Sequence, residues 1–124
     1  MKMEWSSKWK ASKNPRKQKK YIRKAPKHVQ SKQLGSHLSE DLRKKHGKRA
    51  MRVRKGDKVK IMMGTFKGKT GKVDRVDASK LRVYITGIEL LKKDGSKTMY
   101  PVKASNIMIQ ELDLSDKRRI KKAK

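Results

Sequence analysis

The 124-residue sequence contains no cysteine. That removes a disulfide framework, a cysteine-ligated zinc site and a thiol nucleophile at once. Aromatic residues make up 5% of the chain and prolines number three. No apolar run approaches the ~20 residues of a membrane-spanning helix. The basic N-terminal stretch lacks a signal peptide's hydrophobic segment, so the expectation is a soluble, intracellular chain. Negative charge is scarce too: 11 Asp plus Glu face 38 Lys plus Arg, for a net charge of +27. The carboxylates are scattered through turn-like segments, without a paired acid site, a nucleophile elbow or a phosphate-cradling Gly-Lys-Ser/Thr loop. The expectation is no enzyme, no cofactor and no small-molecule substrate. His28, His37 and His46 recur every nine residues, which fits neither a helix face nor zinc-ligand spacing, so no metal is expected.

What the chain has in excess is positive charge. A net charge of this size repels itself in a compact state, so a polyanion that neutralises it is the natural partner. Nucleic acid leads. A membrane surface is weaker, because the basic segments lack an apolar face. The charge is also unevenly backed by apolar residues. Residues 1–50 carry 17 Lys/Arg, 3 Asp/Glu and 13 apolar residues, whereas residues 51–112 carry 15, 6 and 25. The last twelve carry 6 Lys/Arg and 2 Asp/Glu. The expected division is therefore a long basic N-terminal extension (1–50), one domain that owns a core (51–112) and a short basic C-terminal tail (113–124).

The middle segment has the two-residue period of short strands. Val59, Ile61 and Met63 alternate with Lys58, Lys60 and Met62; Leu81, Val83 and Ile85 alternate with Arg82, Tyr84 and Thr86. Val73 and Val76 break the alternation, suggesting a bulge after Gly71. A run at 97–102 contains Pro101, which confines it to an edge or a strand end. Ile107 and Ile109 form a last short strand. Gly56-Asp57, Gly64 to Gly68, Asp77 to Ser79 and Asp94 to Ser96 supply the turns. The expected fold is mainly β: five short strands in a small, closed or nearly closed barrel. In the flanks, Asn14-Pro15 starts a helix over residues 15–24 that Pro26 ends. Ser39 starts another that Gly47 stops, and Asp116 begins a third, short and basic.

Residues 53–77, VRKGDKVKIMMGTFKGKTGKVDRVD, hold Gly56, Asp57, Val59, Ile61, Gly64, Lys67, Gly68, Gly71 and Val73 at fixed intervals. Glycines supply positive φ at turns, loop and bulge, while the alternating apolar residues fill a core. This pattern resembles a KOW motif, which builds part of an SH3-like barrel in ribosomal and transcription proteins. The resemblance extends further. Residues 16–32, RKQKKYIRKAPKHVQSK, are similar to the basic lead-in of the KOW-type large-subunit ribosomal proteins numbered twenty-four in the universal series. Residues 38–59, 100–109 (YPVKASNIMI) and 112–119 (LDLSDKRR) resemble that family's helix, last strand and tail. The uninterrupted Gly68-Lys69-Thr70-Gly71 spacing looks archaeal. One departure stands out: where the family commonly has His-Pro before Ser-Asn, this chain has Lys103-Ala104, so what His-Pro does there does not carry over. The resemblance implies direct binding of 23S rRNA near its 5′ end and a part in starting large-subunit assembly. It also implies a cytoplasmic place on the large subunit, near the peptide exit and beside neighbouring ribosomal proteins. Two rivals remain: a KOW-type transcription elongation factor and a DNA-compacting protein. The first would need a mixed α/β domain ahead of the motif, and the second would sediment with the nucleoid.

The candidate RNA-binding residues fall into four groups. Trp5 and Trp9 sit among Lys10 and Lys13, where stacking on an unpaired base and docking on a protein are both open. Arg16, Lys17, Lys19, Lys20, Arg23, Lys24 and Lys27 surround Tyr21, with His28 following, and no carboxylate opposes them. Arg52 and Arg54 lead into the KOW pattern, whose loop projects Lys67 and Lys69 on glycine-rich backbone. Arg82 and Tyr84 share an outward strand face, and Lys103, Ser105 and Asn106 lie at the last turn. There the Ser105 and Asn106 side chains bond the backbone or reach a phosphate.

Overall fold

The structure, a computed structural model, describes residues 5–8 and 12–120. Helix α1 (Pro15–Lys24) begins as its chemistry dictates: the Asn14 side chain accepts a 3.0 Å hydrogen bond from the Arg16 N–H, and Pro15 occupies the first helical position. Ala25 is pushed to extended geometry ahead of Pro26, and the chain resumes as α2 (Lys27–Lys32). The sequence reading did not foresee α2. Its buried Gln30 holds the elbow, donating from Nε2 to the α1 carbonyls of Ile22 and Arg23 at 3.3 and 3.1 Å. Helix α3 (Glu40–His46) has Glu40 and Asp41 in its first turn, basic residues in its last, and Gly47 at φ 64° as its left-handed stop.

Seven strands follow the order β2-β1-β7-β3-β4-β5-β6. They are β1 (Gly35–Leu38), β2 (Ala50–Arg52), β3 (Lys58–Ile61), β4 (Thr70–Asp77), β5 (Arg82–Leu91), β6 (Lys97–Lys103) and β7 (Ile107–Glu111). Only β1 and β7 pair in parallel; the other ladders are antiparallel. Five strands in a closed or nearly closed barrel were expected. The sheet instead has two additional members and stays open, with β2 and β6 as its free edges. Pro101 therefore does lie on an edge strand, which has a single neighbour to bond.

The two extra strands are β1, which lies in the segment read as the N-terminal extension, and β2, which straddles its boundary with the expected domain. Leu34 and Leu38 are buried in the main apolar cluster with Val59, Ile61, Val73, Val83, Ile85, Ile107 and Ile109. The signal was hidden because the other inward residue of β1 is Ser36, which is polar. It is satisfied by a 2.7 Å hydrogen bond from its hydroxyl to the Ala104 carbonyl. The bulge expected after Gly71 is present: the register of β4 against β5 shifts between Val73 and Arg75. Gly71 itself does not have the positive φ expected of a bulge glycine and serves close packing: a Cβ there would meet the Ile85 Cγ2 and the Thr86 carbonyl oxygen, each at 2.7 Å.

The tail closes the structure. Arg119, in a short 3₁₀ turn (Lys117–Ile120), lies against Asp57, which is wholly buried. Asp57 receives both Arg119 Nη groups, the Arg54 N–H at 3.0 Å and the Asp113 N–H at 2.9 Å. Arg119 also donates to the carbonyls of Asp113 and Arg52, each at 3.0 Å. Gly56 makes room beside this knot, because a Cβ there would lie 2.5 Å from Asp113 Oδ2. The third helix candidate is thus one short turn, with residues 121–124 outside the described residues. Nearer the surface, Arg54 bonds Asp116 at 2.8 Å, which holds that carboxyl below its ordinary value, helped by the Arg118 N–H. Stability from this lowered carboxyl is present above the ordinary pKa and is lost as pH falls through the lowered one.

Arg119→Ala leaves a buried, uncompensated carboxylate and is expected to cost about 3–5 kcal/mol in urea unfolding. Adding Asp57→Asn to that variant should recover part of the loss, since the orphaned charge goes with it. Removal of residues 1–33 should leave a cooperative unfolding transition. Removal of residues 1–50 takes Leu34, Leu38 and strand β1 as well and should abolish it; truncating Leu38 alone to Ala should cost roughly 2–5 kcal/mol.

Candidate nucleic-acid interface

Where the carboxylates go decides where the cations point. Among the described residues three ion pairs form: Arg119 with Asp57, Arg54 with Asp116, and Lys58 with Glu111 at 3.3 Å. Asp77 and Asp94 accept backbone N–H groups in their own turns instead. The Ser96 hydroxyl and N–H on Asp94, and the Ser115 N–H on Asp113, keep those carboxyls charged below their ordinary range. Six of the described acids are thus engaged within the chain, in ion pairs or in turns. Most cationic side chains among the described residues have no internal counter-charge.

The densest such surface is α1. It has no acidic residue in its first turn and none of its residues is buried. Arg16, Lys17, Lys19, Lys20, Arg23 and Lys24 are all exposed, as are Lys13 before the helix and Lys27 and His28 after it. Tyr21 and Ile22 are half-buried. Trp5 packs on Tyr21 with ring centroids 5.1 Å apart, so one face of that tryptophan is used inside the chain. Its Nε1 is buried without a hydrogen-bond partner. Trp9 and Lys10 lie outside the described residues.

The sheet presents its residues in four places. Arg52 and Arg54 line a hollow of about 300 Å³ with Lys48 and Arg119. There Arg54 is already paired with Asp116, while exposed Arg52 lends its carbonyl to Arg119. In the loop after β3, Lys67 is exposed and its backbone N–H bonds the Gly64 carbonyl at 3.2 Å. Lys69 is exposed too, but its ammonium sits 5.0 Å from the centre of the Phe66 ring. On β5, Arg82 and Tyr84 share an outward face as expected, since Val83 and Ile85 between and beyond them are buried. Tyr84 is not bare: the Arg75 guanidinium stacks on it at 4.2 Å.

The fourth place is a cleft of about 370 Å³ that gathers Arg82, Lys103 and Asn106 beside Phe66 and Tyr100. Sequence reasoning missed both aromatics. Phe66 falls in the glycine-rich loop and Tyr100 in the run at 97–102, and neither periodicity nor charge brings them together. Of the two roles open to Ser105 and Asn106, bonding the backbone of the turn between β6 and β7 is not the one seen. Ser36 bonds the Ala104 carbonyl, and the Met62 N–H bonds the Asn106 carbonyl at 2.8 Å. The Ser105 and Asn106 side chains make no hydrogen bond among the described residues. Exposed Ser105 and half-buried Asn106 are left available.

A sequence model of the family that comprises the eukaryotic L26 and the archaeal L24 ribosomal proteins matches residues 12–124.

Lys67→Ala should change thermal stability by less than ~0.5 kcal/mol, as for most exposed substitutions. Lys69→Ala forfeits its contact with Phe66 and should cost about 0.5–1 kcal/mol. Both should weaken binding to a structured RNA in a filter-binding assay. A Lys67→Ala variant that melts early and binds normally would assign this loop to the fold alone.

Proposed function

Because the chain belongs to the family of eukaryotic L26 and archaeal L24 ribosomal proteins, we propose that it binds 23S rRNA directly near its 5′ end and helps start large-subunit assembly. The family is one of structural, non-enzymatic proteins of the large ribosomal subunit. The finer reading places the chain in the cytoplasm on that subunit, near the peptide exit and against neighbouring ribosomal proteins, with the seven strands following an SH3-like path.

The observation that carries the RNA reading is α1: six exposed cations on ten residues, none opposed by a carboxylate on the same helix. A helix with this surface binds phosphates and releases their counterions. The Gln30 elbow holds α1 against α2, and Leu34 fastens the chain after α2 into the core. The cations therefore lead directly out of the packed sheet. In this mechanism the arm draws converging RNA segments together by charge, while the loop with Lys67 and the outward face of β5 meet local RNA shape. The arm's remaining order forms on binding.

The test keeps the full chain and replaces Lys17, Lys19, Lys20 and Arg23 with Gln, which preserves helix propensity. If all four contact phosphate, the slope of log K against log salt for a 5′-domain rRNA fragment should flatten by about 3. An unchanged slope would mean that α1 faces solvent or protein. Tighter binding to duplex DNA than to the rRNA fragment would favour the DNA-compacting rival.

A further inference from the structure

We propose that the cleft beneath the loop of residues 62–69 holds one unpaired ribonucleotide of the RNA. Its base lies against Phe66 and Tyr100, and its phosphate lies between Arg82 and Lys103. The inference rests on the rRNA binding proposed above and specifies which feature of the RNA the sheet takes.

The charges come first. Arg82 and Lys103 face each other directly across the β5–β6 ladder. Like charges in that relation destabilise a sheet. Neither has a carboxylate within ion-pair distance among the described residues. Asp77, opposite Arg82 on the other neighbouring strand, already accepts the N–H groups of Ser79 and Lys80. A single anion between the two cations removes the repulsion and satisfies both.

The walls then limit what that anion is attached to. Phe66 and Tyr100 lie with ring centroids 5.0 Å apart and planes tilted by 55°. A flat group therefore stacks on one ring and meets the other edge-on, the arrangement that aromatic quadrupoles favour. The volume of about 370 Å³ suits a small ligand rather than a helix groove. A paired strand offers phosphates and no free base face, whereas a bulged or looped nucleotide offers both. At the end of the cleft stands Asn106, whose backbone is fixed by Met62 and whose side-chain amide is unengaged. One donor and one acceptor at that point can read a base edge. An aromatic wall, paired cations and a free amide together match a nucleotide better than an acidic peptide, which has no use for the stacking surface.

Phe66 is the chain's single phenylalanine, so 4-fluorophenylalanine incorporated into the full chain gives one fluorine resonance, from the cleft wall beside Lys69; in a Lys67→Ala, Lys69→Ala background it separates the cleft from the loop. Adding a 5′-domain rRNA fragment should shift the fluorine resonance. Phe66→Leu and Tyr100→Leu should each lower affinity for that fragment roughly 5- to 100-fold, the range for loss of one stacked base. Their log K against log salt slope should stay unchanged, because no phosphate contact is lost. Arg82→Gln with Lys103→Gln should instead reduce that slope by about one. A fluorine resonance unmoved by RNA that the chain demonstrably binds would overturn the cleft assignment and leave the rRNA reading standing. So would a resonance that moves only in the assembled subunit, which would point to a protein neighbour. Failure of the chain to bind the fragment at all would remove both readings. The labelled chain keeps the wild-type packing, so the test stands even where a leucine variant unfolds.

Discussion

A buried carboxylate has to be satisfied completely, and Asp57 imposes that requirement on three separate parts of the chain. Its oxygens collect two backbone N–H groups and a guanidinium, from Arg54, Asp113 and Arg119. The segment before β3, the end of β7 and the tail therefore converge on one side chain. Gly56 is needed beside it because the backbone there adopts φ 95° and a side chain would strike Asp113. Remove either ionic partner and the desolvation cost of the other remains, which makes the pair a requirement of the fold more than a surplus of stability. The basic tail is, through residue 119, a structural element.

The same economy of negative charge shapes the surface. With Asp57, Glu111 and Asp116 in ion pairs and Asp77, Asp94 and Asp113 held in turns, the cationic side chains of α1, of the loop carrying Lys67 and of the Arg82–Lys103 ladder position have no ion-pair partner among the described residues. Local structure distributes them: α1 displays its cations together, whereas the sheet places two of them against aromatic walls. On the function proposed above, bulk attraction for RNA would come from the helix and the more discriminating contacts from the cleft.

Legibility in the sequence followed the range of the interaction. The ends of α1 and α3 were readable because Asn14, Pro15 and Gly47 act within a few residues. Strands β3, the first half of β5 and β7 were readable because their burial alternates with period two. Strand β1 was not, since it is four residues long and turns Ser36 inward where a hydrophobic residue would have announced it. The Asp57–Arg119 contact spans 62 residues, and in sequence an arginine among lysines carries no mark of burial. The candidate cations were found by composition, but their grouping was not. Arg82, Lys103 and Asn106 were separate suggestions until the fold set them around Phe66 and Tyr100.

The span of that contact has a consequence for how the protein is made. Asp57 enters the growing chain 62 residues ahead of the arginine that neutralises it. At ~5–20 residues per second this is a delay of about 3 to 12 seconds. Once β4 has followed, β3 and β4 can pair, yet the carboxylate at their edge still has no guanidinium and must stay hydrated. The nascent sheet is held short of its final packing until the distal segment arrives. A translational pause before codon 119 would prolong this half-built state, with its unmatched strand edges, and so lengthen its exposure to aggregation and proteolysis.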